Sequence, residues 1–209
     1  MRKIILTALL ILSSSCIFAQ TKAITETGDE VILNQDGTWK YVKEPVVTND
    51  VIKVNDKEFS KDKNSSFLVK SKTINIGIWL NPKEWNFSKS TSNESAEFQF
   101  QKKDEDLYGM LISEKMQIPI ETLKGIALEN AKKAAPDIKV INEEYRNVNG
   151  IKVLMMQMSG TMQGIRFVYY GYYYSNSNGT IQLVTYTGEN LLNDYLDDIE
   201  LFVNGLVEL

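Results

Sequence analysis

Residues 167–175 read Phe-Val-Tyr-Tyr-Gly-Tyr-Tyr-Tyr-Ser, with tyrosine at five of nine positions. Successive side chains of a strand point to opposite faces. Phe167, Tyr169, Gly171 and Tyr173 therefore share one face; Val168, Tyr170, Tyr172 and Tyr174 share the other. Aromatic groups on both faces need cover on both, so the stretch reads as a central strand between two covering layers. Tyrosine suits that place because its ring packs while its hydroxyl reaches a polar partner. Gly171 marks a bend or the close approach of another backbone. The competing reading is a groove around Tyr170, Tyr172 and Tyr174 that binds a peptide or a glycan.

Working outward, residues 139–148, 151–161 and 180–187 read as further strands. Turn signals stand at Asn149-Gly150, Met162-Gln163-Gly164 and Asn176 to Gly179. Upstream, residues 73–80, 96–101 and 107–113 alternate as an antiparallel meander. Between the two groups lies a helix. Pro119 suits its first turn, and Glu121 complements its positive end. Leu123, Ile126, Ala127, Ala131 and Ala134 recur at helical spacing, and Pro136 ends it. A closing helix runs from Glu189 to the C-terminus, capped by Thr187, with an apolar stripe that includes Leu192, Ile199, Phe202 and Leu206. The expected class is α+β. An antiparallel sheet of about seven strands, in the order βββ-α-ββββ-α, carries helices on both faces as an α/β/α sandwich.

Ahead of this domain, Asp36-Gly37 sits between Val31-Ile32-Leu33 and Trp39-Lys40-Tyr41, a β-hairpin signal. The pattern resembles a small hairpin module found near the N-termini of exported bacterial proteins. A lone hairpin is marginal in water, so it needs a further strand or a docking surface, and Trp39 is the candidate docking residue. The polar stretch that follows reads as a linker. The expected division is 1–19, 20–44 (hairpin), 45–66 (linker) and 67–209.

The first segment, MRKIILTALLILSSSCIFAQ, has a cationic start, a short apolar run and a small-residue end. These are the parts of a secretory signal peptide, with cleavage expected after Ala19. The apolar run is too short for a permanent span, which takes about 20 residues. Cys16 raises lipid anchoring as an alternative. Ser13 stands where a lipoprotein signal usually carries Leu, which favours soluble export.

Cys16 is the one cysteine and the chain contains no histidine. A chain cut after Ala19 has no disulfide, no thiolate nucleophile, no Ser-His-Asp triad and no ordinary zinc site. The formal charge is −4, and loss of Arg2 and Lys3 with an acid-free leader takes it to −6. That argues against nucleic acid as partner. No cofactor is expected, and catalysis would have to rest on carboxylates, Lys or Tyr.

Several features of residues 67–209 resemble the PsbP-like superfamily. These are the strand leading into Pro82-x-x-Trp85, the helix over 120–135, the Val148-Asn149-Gly150 turn, the long aromatic strand, the strand after Gly179 and the closing helix. Its members include an extrinsic photosystem II subunit, a Ran-binding nuclear transport factor and bacterial envelope proteins. The resemblance implies an α/β/α sandwich and an accessory or binding role without a shared active site, so no functional residue is carried over.

Three clusters read as structural. Met155, Met156, Met158 and Met162 could offer thioethers to Cu(I), but no histidine supports them, and they read as core packing. Asp194, Asp197, Asp198 and Glu200 read as a solvated helix flank, and Asp104-Glu105-Asp106 as a charged turn; neither has calcium-loop spacing. No metal site is expected. The leading function is an exported non-enzymatic accessory protein that binds another envelope protein or peptide. The alternatives are a small-ligand or glycan binder using the tyrosine strand, and a carboxylate-dependent enzyme.

Overall fold

The computed structural model describes residues 21–24, 30–34, 36–42, 52–91 and 93–209. The leader with Cys16, residues 25–29 and most of the linker's first half lie outside the described residues. The chain divides into two units, 1–47 and 48–209.

The first unit is a three-stranded antiparallel sheet of β1 (Thr21–Ile24), β2 (Glu30–Leu33) and β3 (Trp39–Tyr41). The expected hairpin joins β2 to β3. Gly37 takes φ +81° in its turn, a conformation open to glycine. The Asp36 carboxylate accepts the Thr38 N–H at 2.9 Å and its hydroxyl at 2.6 Å.

The second unit contains β4 (Val54–Phe59), β5 (Phe67–Lys70), β6 (Ile76–Leu80), β7 (Trp85–Lys89), β8 (Phe98–Lys102) and β9 (Tyr108–Glu114). Helix α1 (Ile120–Ala134) follows, then β10 (Lys139–Val148), β11 (Ile151–Met162), β12 (Ile165–Asn176) and β13 (Gly179–Gly188). A 3₁₀ turn (Glu189–Leu191), α2 (Leu192–Val203) and β14 (Leu206–Glu208) complete it. Eight strands form the main sheet in the order β4-β10-β11-β12-β13-β9-β8-β7. The tyrosine strand β12 is central, paired along its length with β11 and β13. The hairpins on either side of β11 turn through two residues each. Asn149 and Gly150, and Gln163 and Gly164, all have positive φ, the type I′ geometry that matches strand twist.

Both faces of this sheet are covered, by unlike layers. On one, α1 sets Leu123, Ala127 and Ala131 against Leu154, Met156, Met158, Tyr173 and Val184. The Lys124–Glu143 ion pair, at 2.6 Å, ties α1 to β10. On the other, Ile199, Phe202 and Val203 of α2 join Tyr170, Tyr172, Leu183 and Phe100. Trp85 stacks on Phe202 at 4.2 Å. The same core includes Val69, Ile76, Ile78, Leu80 and Leu206, which belong to a second sheet of the unit, ordered β14-β6-β5.

The expected seven-strand antiparallel α/β/α sandwich is therefore overturned. The main sheet has eight strands and is mixed, because β4 pairs parallel to β10. Strand β4 comes from the stretch read as linker. One covering layer combines a helix with a sheet. The run at 73–80 does not open the meander: Ile76–Leu80 belongs to the small sheet, and Trp85–Lys89 takes its place beside β8. The chain changes sheets at Asn81, whose carbonyl accepts the Glu84 and Trp85 N–H groups. Nor does the closing helix reach the C-terminus or take Thr187 as its cap. It ends at Val203, and the Gly205 carbonyl accepts the Trp79 N–H at 2.8 Å. A Cβ at Gly205 would lie 1.9 Å from the Trp79 oxygen, so any other residue would push β14 off β6.

Candidate functional site

The two faces of β12 meet different surroundings. Tyr170 and Tyr172 are buried and Tyr174 is partly buried. All three point their hydroxyls at α2 or the C-terminal strand. Tyr170 donates to Glu200 at 2.9 Å, Tyr172 to Asn204 at 2.7 Å, and Tyr174 to Glu208 at 3.2 Å. Buried Arg146 lies among them. Its guanidinium donates to Tyr172 at 3.2 Å, to Glu200 at 3.1 Å and to Glu144 at 2.6 Å, and rests over Phe59 at 4.4 Å. Burial pushes the Tyr172 hydroxyl up to about 12, against the opposing pull of Arg146. Burial, opposed by Arg146, also raises Tyr170 strongly. Asp197 and Asp198 belong to the same helix, and Asp198 pairs with Lys102.

The structure thus brings Tyr170, Tyr172 and Tyr174 together, but in an interior network rather than a groove. Trp39 lies in the other unit, 52% exposed and edge-on to Tyr41 at 5.1 Å.

The opposite face is open at one end. Helix α1 packs over Tyr173 and Val184, leaving the start of β9, the end of β13 and the start of β12 with less cover. There lies a cleft of about 590 Å³. Its aromatic wall is a chain of rings. Phe167 meets Tyr169 edge-on at 5.0 Å, Tyr169 meets Tyr186 edge-on at 6.0 Å, and Tyr186 stacks on Tyr108 at 5.3 Å. Met110, Met162, Ile165 and Leu191 complete its apolar lining. Ile165 and Met162 stand at the rim, 69% and 45% exposed. Among the described residues of the lining, Asp106 is the one carboxylate and there is no Lys or Arg. Burial, then the neighbouring tyrosine, raises the pKa of both Tyr169 and Tyr186, so both rings are neutral at physiological pH. A cleft of this size, apolar with few polar groups, suits a ligand or an inserted side chain.

Sequence reasoning weighed the other face of the tyrosine strand. The missed residues are Tyr108, Tyr169 and Tyr186. They are paired across three strands, so the signal lay in register and not in any single segment. Met155, Met156 and Met158 are buried on alternate faces, while Met162 reaches the cleft. Among the described residues no three acidic, His or Cys side chains gather where they could hold a metal ion. Nor is any described helix long and apolar enough to cross a membrane.

No protein-family model matches the chain, and no curated protein matches it. Solved structures do. Cyanobacterial PsbP from Synechocystis sp. PCC 6803 aligns with a TM-score of 0.52 at 12% identity, over 68% of this chain and 92% of that one. A protein of unknown function from Pseudomonas aeruginosa, a putative regulator, has a TM-score of 0.44 at 13% identity, over 68% and 96%. LpqN of Mycobacterium tuberculosis, involved in cell envelope biogenesis, has 0.44 at 11%, over 68% and 88%. At 12% identity the first of these shows the architecture alone, a PsbP-like fold.

Proposed function

We propose that the chain is an exported accessory protein, without catalysis of its own, whose cleft receives an apolar segment of another envelope protein or peptide. The observation that carries this reading is the cleft itself: about 590 Å³, walled by Phe167, Tyr169 and Tyr186, with Ile165 and Met162 exposed at its rim. Exposed apolar groups beside a concave site mark an interaction surface. The cationic, apolar and small-residue segments of residues 1–19 support export. The hairpin of β2 and β3, similar to a module of exported proteins, supports the same destination and offers Trp39 as a second contact. Absent histidine, and a single carboxylate among the described lining residues, favour binding over chemistry.

Mass spectrometry of the mature N-terminus tests export, with Gln20 expected first. Binding is tested by capture from an envelope fraction with the wild type and with Ile165→Glu and Leu191→Asp variants of unchanged far-UV spectrum. Loss of the same captured protein in both variants supports the reading. Equal capture by all three proteins sinks it.

A further inference from the structure

Beside the apolar cleft a second, smaller depression reaches the open edge of the main sheet. Its volume is about 330 Å³, and its lining is Asn86, Ser88, Gln99, Gln101, Tyr108 and Tyr186, with Phe87 and Phe100. We infer that this trough is a binding subsite for a neutral sugar ring. The inference goes beyond the peptide reading and does not depend on it.

Strand register builds the trough. Asn86 lies opposite Gln101, Gln101 opposite Tyr108, and Tyr108 opposite Tyr186. One row of four side chains therefore crosses β7, β8, β9 and β13 on a single face. Ser88 and Gln99 form the next row, joined by a 3.3 Å hydrogen bond. Tyr108 stacks on Tyr186 with ring planes 18° apart. The strand order puts Gln101 on the other side of Tyr108, so the ring borders the trough on the side away from its stacking partner. Asn86 and Gln101 are exposed at this wall, and their amides bond to no other group among the described residues.

These are the groups a pyranose needs. Its C–H face is apolar and lies flat against an aromatic ring, which offers large contact area at low entropic cost. Its hydroxyls both donate and accept, as do the amides of Asn86 and Gln101 and the Ser88 hydroxyl. Among the described residues the lining contains no ionised side chain, so they offer no cation to hold a carboxylate, sulfate or phosphate. Asp104, Glu105 and Asp106 lie next to Asn86 and Gln101 in the adjoining surface pocket, and they disfavour an anionic sugar further. Lys103, in the same loop, is engaged with the Pro82 carbonyl at 2.9 Å. The trough opens at β7, the last strand of the sheet, so a longer glycan can run past the edge while one ring sits on Tyr108.

The test titrates the full chain with cellohexaose, maltohexaose, xylohexaose, mannohexaose and chitohexaose, with a galacturonic acid hexamer as the charged control. Side-chain amide NMR and calorimetry are the readouts. At least one neutral oligosaccharide is expected to shift the Asn86 and Gln101 amide signals. Tyr108→Ala should weaken that binding by about tenfold, the equivalent of one ring contact. Gln101→Ala should weaken it about fivefold, the equivalent of one hydrogen bond. Gln101 is exposed, so its variant keeps the test valid if Tyr108→Ala unfolds. Ile165→Glu should leave sugar binding unchanged, which separates this subsite from the peptide cleft. The inference is overturned if no neutral sugar moves those signals up to about 10 mM, beyond the millimolar range of a weak contact. It is also overturned if the galacturonic hexamer binds equally well, or if Gln101→Ala abolishes capture of a protein partner but leaves sugar binding intact.

Discussion

The two faces of β12 carry the same residue type in opposite circumstances. Toward α2, each of Tyr170, Tyr172 and Tyr174 donates its hydroxyl to a named acceptor, and Arg146 links Tyr172 to Glu200, the acceptor of Tyr170. Toward α1, Tyr169 belongs to a run of rings with Tyr186 and Tyr108 that ends in a cleft. Tyrosine content alone thus says nothing about recognition. What matters is whether a covering element supplies partners for the hydroxyls or stops short and leaves the rings to solvent.

The sharpest way to break this contrast is to dismantle the closed face. Arg146→Ala leaves Glu144 without its cation and the Tyr172–Glu200 pair without its shared donor. Breaking a buried charge network costs roughly 3–5 kcal/mol, so the urea midpoint should fall steeply. An unchanged midpoint would mean the face is not held by this network. Gly171→Ala comes next. A Cβ there would lie 2.6 Å from the Leu183 carbonyl oxygen and 3.0 Å from Val184 Cα, both backbone atoms of β13. Overpacking of this kind costs about 1–3 kcal/mol, and a neutral substitution would refute the close approach of the two strands.

Tyr172→Phe removes a hydroxyl and leaves Asn204 and Arg146 each one partner short, a loss of about 1–2 kcal/mol by chemical denaturation. The same residue gives a pH dependence of definite sign. Its pKa rises from 10.0 to about 12 on folding, so the folded state favours the neutral phenol. That contribution is complete below pH 10 and disappears as pH rises toward 12. Wild-type stability should therefore decline over this window more steeply than that of Tyr172→Phe; parallel curves would contradict the assignment. The smallest effect belongs to the open face. Ile165→Ser, at a position 69% exposed, should change stability by no more than about 0.5 kcal/mol. A larger loss would mean that the rim is part of the core.

Much of this contrast is legible in the sequence. Period-two alternation sorts the β12 side chains correctly between faces, and Asn149-Gly150 and Gln163-Gly164 announce the turns that set its neighbours. Helix α1 follows from Pro119 and the spacing of Leu123, Ala127 and Ala131. The failures are non-local. The run Ile-Gly-Ile-Trp-Leu at 76–80 signals burial, but burial under either sheet gives the same signal. Strand β14 is three residues after a helix, too short to register against the helical stripe. The open cleft depends on how far α1 reaches across strands that are distant in sequence, and no alternation pattern encodes that reach.

The parallel pairing of β4 with β10 has a consequence in time. Asn55 and Glu144 are joined across 89 residues, so Phe59 reaches the Arg146 guanidinium only when a long loop closes. Distant closure carries a large loop-entropy cost and slows assembly. On that ground the cation at the heart of the closed face is expected to exchange water until this closure is made, which pulsed hydrogen exchange at the Arg146 guanidinium would read.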